Sequence, residues 1–145
     1  APCTAEACME LLRAHGIDPA GRRVTIVGRS LVIGRPAALL LTRADATVTL
    51  CHRKTPDLAA RCRDADILLA AAGTPGLITT DFVRPGQIVL DAGATALPDG
   101  TLRGDVAPDA AAIAVCTPVP GGIGSVTTAL LLRHTVQAAE NLRHF

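Results

Sequence analysis

Tryptophan and tyrosine are absent from the 145 residues, and phenylalanine occurs only at Phe82 and Phe145. Such a chain offers no aromatic platform for base stacking, and a net charge of +1 gives no broad electrostatic footprint for nucleic acid. No apolar run approaches the ~18 residues that a membrane span requires. The start of the chain lacks the charged and long apolar regions of a secretory signal. The expectation is a soluble, cytoplasmic protein with no nucleic-acid partner and no membrane partner. Lysine is almost missing as well: Lys54 stands beside thirteen arginines. The five cysteines (Cys3, Cys8, Cys51, Cys62 and Cys116) are odd in number and show no CxxC spacing. Reduced, mostly core thiols are expected rather than a disulfide framework or a zinc site.

What is present is alternation. The length suits one domain with a real core. "TAEACMELLRAH" has helical spacing, with Thr4 a candidate N-cap and Gly16 just past the end. "RRVTIV", "ATVTLC", "DILLAAAG" and "QIVLDAG" read as short strands. Helices are expected from about Arg35, over "DLAARCRDA", in the short "APDAAAIA" and through "SVTTALLLRHTVQAAENL", with a helical turn at "TDFV". "LPDGTLRGDV" reads as a hairpin-type excursion around Asp99-Gly100, and "VCTPVPGGIG" as a strand entering a rigid Pro/Gly turn. Strands alternating with helices imply parallel pairing through right-handed crossovers, hence a doubly wound, Rossmann-like α/β fold in one domain. Ligands of such sheets bind beyond the carboxyl ends of the strands. The loops "GRSLVIG", "CHRKT", "AAGTPG", "DAGAT" and "PVPGGIG" all begin there and should share one rim.

The first of these loops lacks the GxGxxG fingerprint, with five residues between Gly28 and Gly34. Gly28 suits a tight turn and Gly34 a close backbone approach to a pyrophosphate at a helix start; an ordinary strand-to-helix turn is the plain alternative. At the end of the second strand an NAD-binding domain usually carries an acid for the ribose hydroxyls. Here "CHRKT" has none. Arg53 and Arg29 could form a cationic pocket for a 2′-phosphate, which favours NADP over NAD, and His52 could touch phosphate or adenine; the alternative is a solvated basic turn. No Ser-His-Asp or Cys-His grouping stands out, and His15, His134 and His144 read as surface or packing residues. Asp91 is the better functional candidate among the acids beside strands, with turn capping an equal reading. The last loop, followed by Ser125 and Thr127, suits contact with a flat ligand.

Seven segments occur in a recognisable order: "PCT", "GRSLVIGRPAALLL", "ATVTLCHRKT", "ADILLAAAGTPGLI", "PGQIVLDAG", "GDV" and "TPVPGGIGSVTTALLL". From Pro2 to about Glu140 the chain resembles the C-terminal, NAD(P)-binding half of the methylenetetrahydrofolate dehydrogenase/methenyltetrahydrofolate cyclohydrolase family. The resemblance implies hydride transfer from 5,10-methylenetetrahydrofolate to NADP+. It implies that Gly28, Arg29 and Ser30 hold cofactor phosphates and that Arg53 stands where relatives commonly place a serine beside the 2′-phosphate. Ala71, Gly73 and Ala94 match positions on the nicotinamide side, Thr4 and Thr127 threonines near the cofactor, and Pro120, Gly121 and Gly124 the turn bordering the folate. "DAGAT" replaces the usual D-x-G-I/V, and "GIGSVT" the usual GxGPMT. The family's N-terminal half, with its Tyr-x-x-x-Lys motif, has no counterpart in these residues. The implied behaviour is therefore negligible dehydrogenase and no cyclohydrolase activity for the chain alone, with a folate partner only beside a complementary N-terminal half, and a homodimer. An excised domain, a split-enzyme subunit and a stand-alone binding or assembly module all remain open.

Overall fold

The computed structural model describes residues 2–143. Helix α1 (Cys3–Ala14) precedes β1 (Arg23–Val27), α2 (Gly34–Arg43), β2 (Thr47–Cys51), α3 (Leu58–Asp64) and β3 (Ile67–Ala70). A 3-10 turn at Thr80–Phe82 leads to β4 (Ile88–Asp91). There follow β5 (Thr95–Ala96), β6 (Leu102–Arg103), α4 (Pro108–Ile113), β7 (Val115–Cys116) and α5 (Ile123–Arg143). The main sheet runs β2-β1-β3-β4-β7 with every pairing parallel, while β5 and β6 form a separate antiparallel pair. The expected doubly wound, Rossmann-like α/β fold is present.

Pleating accounts for the layering, because successive side chains of a strand point to opposite faces. Ile67 and Leu69 join Val24, Ile26, Leu90 and residues of α1, α2 and α5 on one face. Leu68 and Ala70 join Val27, Val89, Cys62, Ile78 and Ala110 on the other. Each fully buried Leu or Ile contributes roughly 1.5–3 kcal/mol of transfer free energy, so the central strands are anchored from both sides. Register then fixes the rim. Val27 pairs with Cys51 and with Ala70, and Ala70 with Asp91, so these strands end level with one another. β1 is the switch point, since the chain goes from it to β2 on one side and then crosses to β3 on the other.

Three expectations need correction. Thr4 is not an N-cap: Pro2 occupies that position with no side-chain cap, and Thr4 is the second residue of α1. His134 does more than pack, because its Nε2 lies 3.0 Å from Glu6 Oε2 and its Nδ1 lies 3.5 Å from Cys3 Sγ. A Cys-His grouping therefore exists, at the α1–α5 seam and away from the rim; a sequence separation of 131 residues hides it. The second helix, Gly34–Arg43, opens where it was expected, with Pro36 in its first turn. His144 and Phe145 lie outside the described residues. All five cysteines are free thiols, and burial pushes Cys8 and Cys62 up to about 12 and Cys116 up to about 11. Among the described residues no helix is long and apolar enough to cross a membrane, and no group of acidic, His and Cys side chains is placed to hold a metal ion.

Candidate functional site

Two cavities open along the carboxyl rim. The first, of about 380 Å³, lies over the ends of β1, β2 and β3 and is lined by Gly28, Arg29, His52, Arg53, Ala72 and Thr74, with Val27, Leu58 and Leu77 beneath. The second, of about 450 Å³, lies over β4 and β7. Its walls come from Thr4, Ile33, Asp91 to Ala94, Leu102, the turn from Pro118 to Ser125, Thr127 and Thr128.

The loop between β1 and α2 is built by backbone contact. Gly28 has φ +118°, and a Cβ there would overlap the carbonyl oxygen of Ala71. A Cβ at Gly34 would overlap the carbonyl of Gly28 itself. Only glycine allows the first turn of α2 to fold down onto the end of β1. The Gly28 N–H donates to the Cys51 carbonyl at 2.9 Å, tying this loop to the end of β2. Ser30 accepts the Ile33 N–H on its hydroxyl oxygen at 3.0 Å. That leaves the Ser30 proton available to a phosphate oxygen.

The basic turn is closed on itself. The His52 N–H donates to Thr55 Oγ1 at 2.8 Å, and the Thr55 N–H returns to the His52 carbonyl at 3.0 Å. The Lys54 N–H donates to His52 Nδ1 at 3.2 Å. An Nδ1 that accepts leaves the proton of a neutral ring on Nε2, a donor suited to phosphate. Arg29 and Arg53 are both exposed and border the same cavity. None of the ion pairs among the described residues involves either guanidinium, and no carboxylate lines the cavity. Two uncommitted arginines around a cavity with an apolar floor form a site for a planar ring carrying a phosphate.

The expected residues divide between the cavities. Gly28, Arg29, His52 and Arg53 line the first; Thr4, Ala94, Pro120, Gly121, Gly124 and Thr127 line the second. Ala71 and Gly73 line neither cavity, and their neighbours Ala72 and Thr74 border the first. Gly34 and Ser30 shape the loop between them. The Val119–Pro120 peptide bond is cis. Leu58, Leu77, Ile33 and Leu102 also form walls and were not anticipated; nothing in their local sequence separates them from ordinary packing residues. Asp91 caps backbone: its carboxylate accepts the N–H groups of Gly93, Asp105 and Val106.

A level rim, a glycine loop entering a helix at the switch point and a basic turn on the neighbouring strand define a dinucleotide-binding domain. The comparisons give its family. Residues 2–143 match the tetrahydrofolate dehydrogenase/cyclohydrolase NAD(P)-binding domain, and the chain belongs to that family. It is 59% identical over 143 residues to the bifunctional protein FolD 1 of Rhodococcus jostii, covering 96% of this chain and 48% of that protein. Among solved structures, the bifunctional FolD methylenetetrahydrofolate dehydrogenase/cyclohydrolase of Campylobacter jejuni superposes with a TM-score of 0.91 at 44% identity, covering 97% of this chain and 50% of that one. The Trypanosoma brucei FolD enzyme, solved with NADP cofactor and inhibitor, has a TM-score of 0.86 at 44% identity, over 94% of this chain and 49% of that one. The NAD-dependent 5,10-methylenetetrahydrofolate dehydrogenase of Saccharomyces cerevisiae, 19% identical with a TM-score of 0.75, shares the fold. The chain spans about half the length of the curated relatives it matches.

Proposed function

We propose that the chain is the NADP-binding part of a methylenetetrahydrofolate dehydrogenase-type oxidoreductase. The observation that carries this reading is the placement of Arg29 and Arg53 on one cavity whose lining residues include no carboxylate. A 2′-phosphate dianion gains charge-assisted hydrogen bonds from both guanidiniums, whereas the bare ribose hydroxyls of NAD would leave two arginines without an anion. The NADP-bound Trypanosoma brucei relative supports the choice of nucleotide.

The nicotinamide supplies the hydride acceptor, and the protein supplies position. Gly28, Ser30 and the first turn of α2 receive the pyrophosphate, where backbone N–H groups and the helix dipole favour negative charge. Thr4, Ala94, Thr127 and the Pro120–Gly124 turn form the wall against which the nicotinamide and the one-carbon bridge of 5,10-methylenetetrahydrofolate are held. These walls exclude water on one side and fix which ring face meets the donor carbon. Loss of hydride from that bridge yields 5,10-methenyltetrahydrofolate. The chain has no tyrosine, and its one lysine, Lys54, lies in the basic turn at the end of β2, across the sheet from the β4–β7 cavity. The 145 residues therefore bind NADP and turn over neither the dehydrogenase nor the cyclohydrolase reaction on their own. A complementary folate-binding half, and a homodimeric assembly, complete the enzyme.

Calorimetric titration tests the reading. NADP should bind at least about tenfold more tightly than NAD, the worth of one charge-assisted hydrogen bond. Equal affinities would sink the NADP assignment, and no binding of either would favour a non-catalytic assembly module. Robust methylenetetrahydrofolate oxidation by the purified chain would refute its predicted inactivity.

A further inference from the structure

Two buried carboxylates sit between the cavities, and neither has a cationic partner. Asp105 is fully buried and Asp91 nearly so. Asp105 accepts three consecutive backbone N–H groups: Ala72 at 2.7 Å and Gly73 at 3.2 Å on Oδ2, and Thr74 at 3.0 Å on Oδ1. Asp91 accepts Gly93 at 2.9 Å and Asp105 at 3.0 Å on Oδ1, and Val106 at 3.1 Å on Oδ2. The Asp91 N–H donates to Thr117 Oγ1 at 2.9 Å, one residue before the turn that walls the second cavity. None of the ion pairs among the described residues includes either acid. Six donated N–H bonds satisfy the oxygens of the two buried carboxyl groups, since a buried polar group without partners is otherwise costly.

We propose that Asp91 and Asp105 are positioning residues that couple the two cavities, through an unbroken chain from Thr117 to Asp91, to Asp105 and to the loop of residues 72–74. The proposal deepens the nucleotide-binding reading and rests on it. The geometry has two consequences. First, the loop after β3 turns three successive N–H groups toward one point, a concavity suited to an anion. Asp105 already fills it, so the phosphates of a nucleotide are directed to the Gly28–Gly34 loop instead. Second, the loop's other side presents Ala72 and Thr74 to the basic cavity, while Asp91 holds Gly93 and the return limb of the β5–β6 hairpin that carries Leu102 into the second cavity. Two glycines are matched to this arrangement: a Cβ at Gly93 would overlap the Asp105 carboxylate, and one at Gly104 would overlap that of Asp91. Asparagine is a poor substitute, because its amide nitrogen would face N–H groups.

The test compares Asp105→Asn and Thr117→Val with Gln87→Ala. Gln87 is also buried and bonds the carbonyls of Cys62 and Ala65 at 2.7 and 2.8 Å, but lines neither cavity. Asp105→Asn should weaken NADP binding about tenfold and speed amide exchange at Ala72, Gly73 and Thr74. Thr117→Val, the milder variant if the first does not fold, should weaken binding roughly fivefold and speed exchange at Gly93, Asp105 and Val106. Gln87→Ala should lower the melting temperature with NADP affinity unchanged. Unchanged NADP affinity in Thr117→Val, or equal weakening by all the folded variants, would overturn the coupling. Absence of NADP binding by the unsubstituted chain would refute the nucleotide reading instead. The hydrogen-bonded chain from Thr117 to residues 72–74 is then decided by exchange alone, and wild-type protection of residues 93, 105 and 106 in Thr117→Val overturns it.

Discussion

The basic cavity and the apolar cavity share a rim and are made by different means. The first takes its chemistry from side chains, with Arg29, Arg53 and His52 arranged over an apolar floor. The second takes its shape from backbone and small residues, namely Gly93, Ala94, a proline- and glycine-rich turn and the threonines of α1 and α5. Charge can select one nucleotide over another by about 1.5–3 kcal/mol per charge-assisted hydrogen bond, from side chains of two neighbouring loops. Shape selects by the fit of many weak contacts, so it depends on elements from the whole length of the chain. The comparison teaches that the charge of the basic cavity is set by two short loops, whereas the shape of the apolar one is set by segments spread along the whole chain.

The largest effect should come from the backbone junction at the end of β1, which borders the basic cavity. Gly28→Ala forces a side chain into a left-handed φ and into the Ala71 carbonyl, and should cost about 3 kcal/mol of stability, roughly 10 °C in melting temperature, with loss of NADP binding. Thermal unfolding and calorimetry check this, and an unaffected protein would mean that the junction is not rigid.

Arg53→Ala should come next, separating the cavities cleanly. NADP affinity should fall about tenfold to a hundredfold and the salt dependence of binding should flatten, while NAD affinity stays the same. A comparable loss for NAD would show that Arg53 supports the fold or the pyrophosphate rather than the 2′-phosphate.

Ala94→Leu probes the second cavity. It should weaken NADP severalfold, by overpacking the nicotinamide end, and leave 2′-phospho-ADP binding intact because that fragment has no nicotinamide. Equal losses for both ligands would mean that the cavities do not divide the nucleotide as argued.

The smallest effects concern acids of opposite character. Arg23 holds the Asp66 carboxyl below the usual range by donating its backbone N–H at 2.8 Å and a guanidinium N–H at 3.3 Å. Asp66 therefore adds stability above the ordinary carboxylate value and loses it as pH falls through its lowered folded value. Exposure limits this to no more than about 1 kcal/mol, so Asp66→Asn should barely shift an acid denaturation curve. Burial, by contrast, pushes the Asp91 carboxyl up despite its three N–H donors. Its contribution is greatest below the ordinary carboxylate value and declines as pH rises toward the raised folded value. Potentiometric comparison of folded and unfolded chain should show proton uptake on folding in that window, and Asp91→Asn should abolish it.

Most of the fold was legible because short continuous apolar runs and glycine punctuation are local signals. "DILLAAAG" and "QIVLDAG" became β3 and β4 with only their ends trimmed. The basic pair was legible for the same reason, since Arg29 and Arg53 each follow a strand within two residues. Thr4 misled because a threonine ahead of an apolar helix looks like a cap, while Pro2 already supplies an extended residue at that position. Asp105 was hidden. Inside "GDV" it looks like any surface acid, and its three N–H partners lie some thirty residues earlier in the chain. The Cys3–His134–Glu6 contact and the walls at Ile33 and Leu102 were hidden likewise, since only the folded chain brings them together.

The turn that carries Arg53 keeps its own shape through the paired bonds of His52 and Thr55, so the two side chains between them are not needed to hold it. Half of the cationic pair is thereby quartered in a detachable module, the other half being Arg29 in the loop after β1. Substitutions at positions 53 and 54 can therefore change the charge that this turn presents to the basic cavity without disturbing the sheet beneath it.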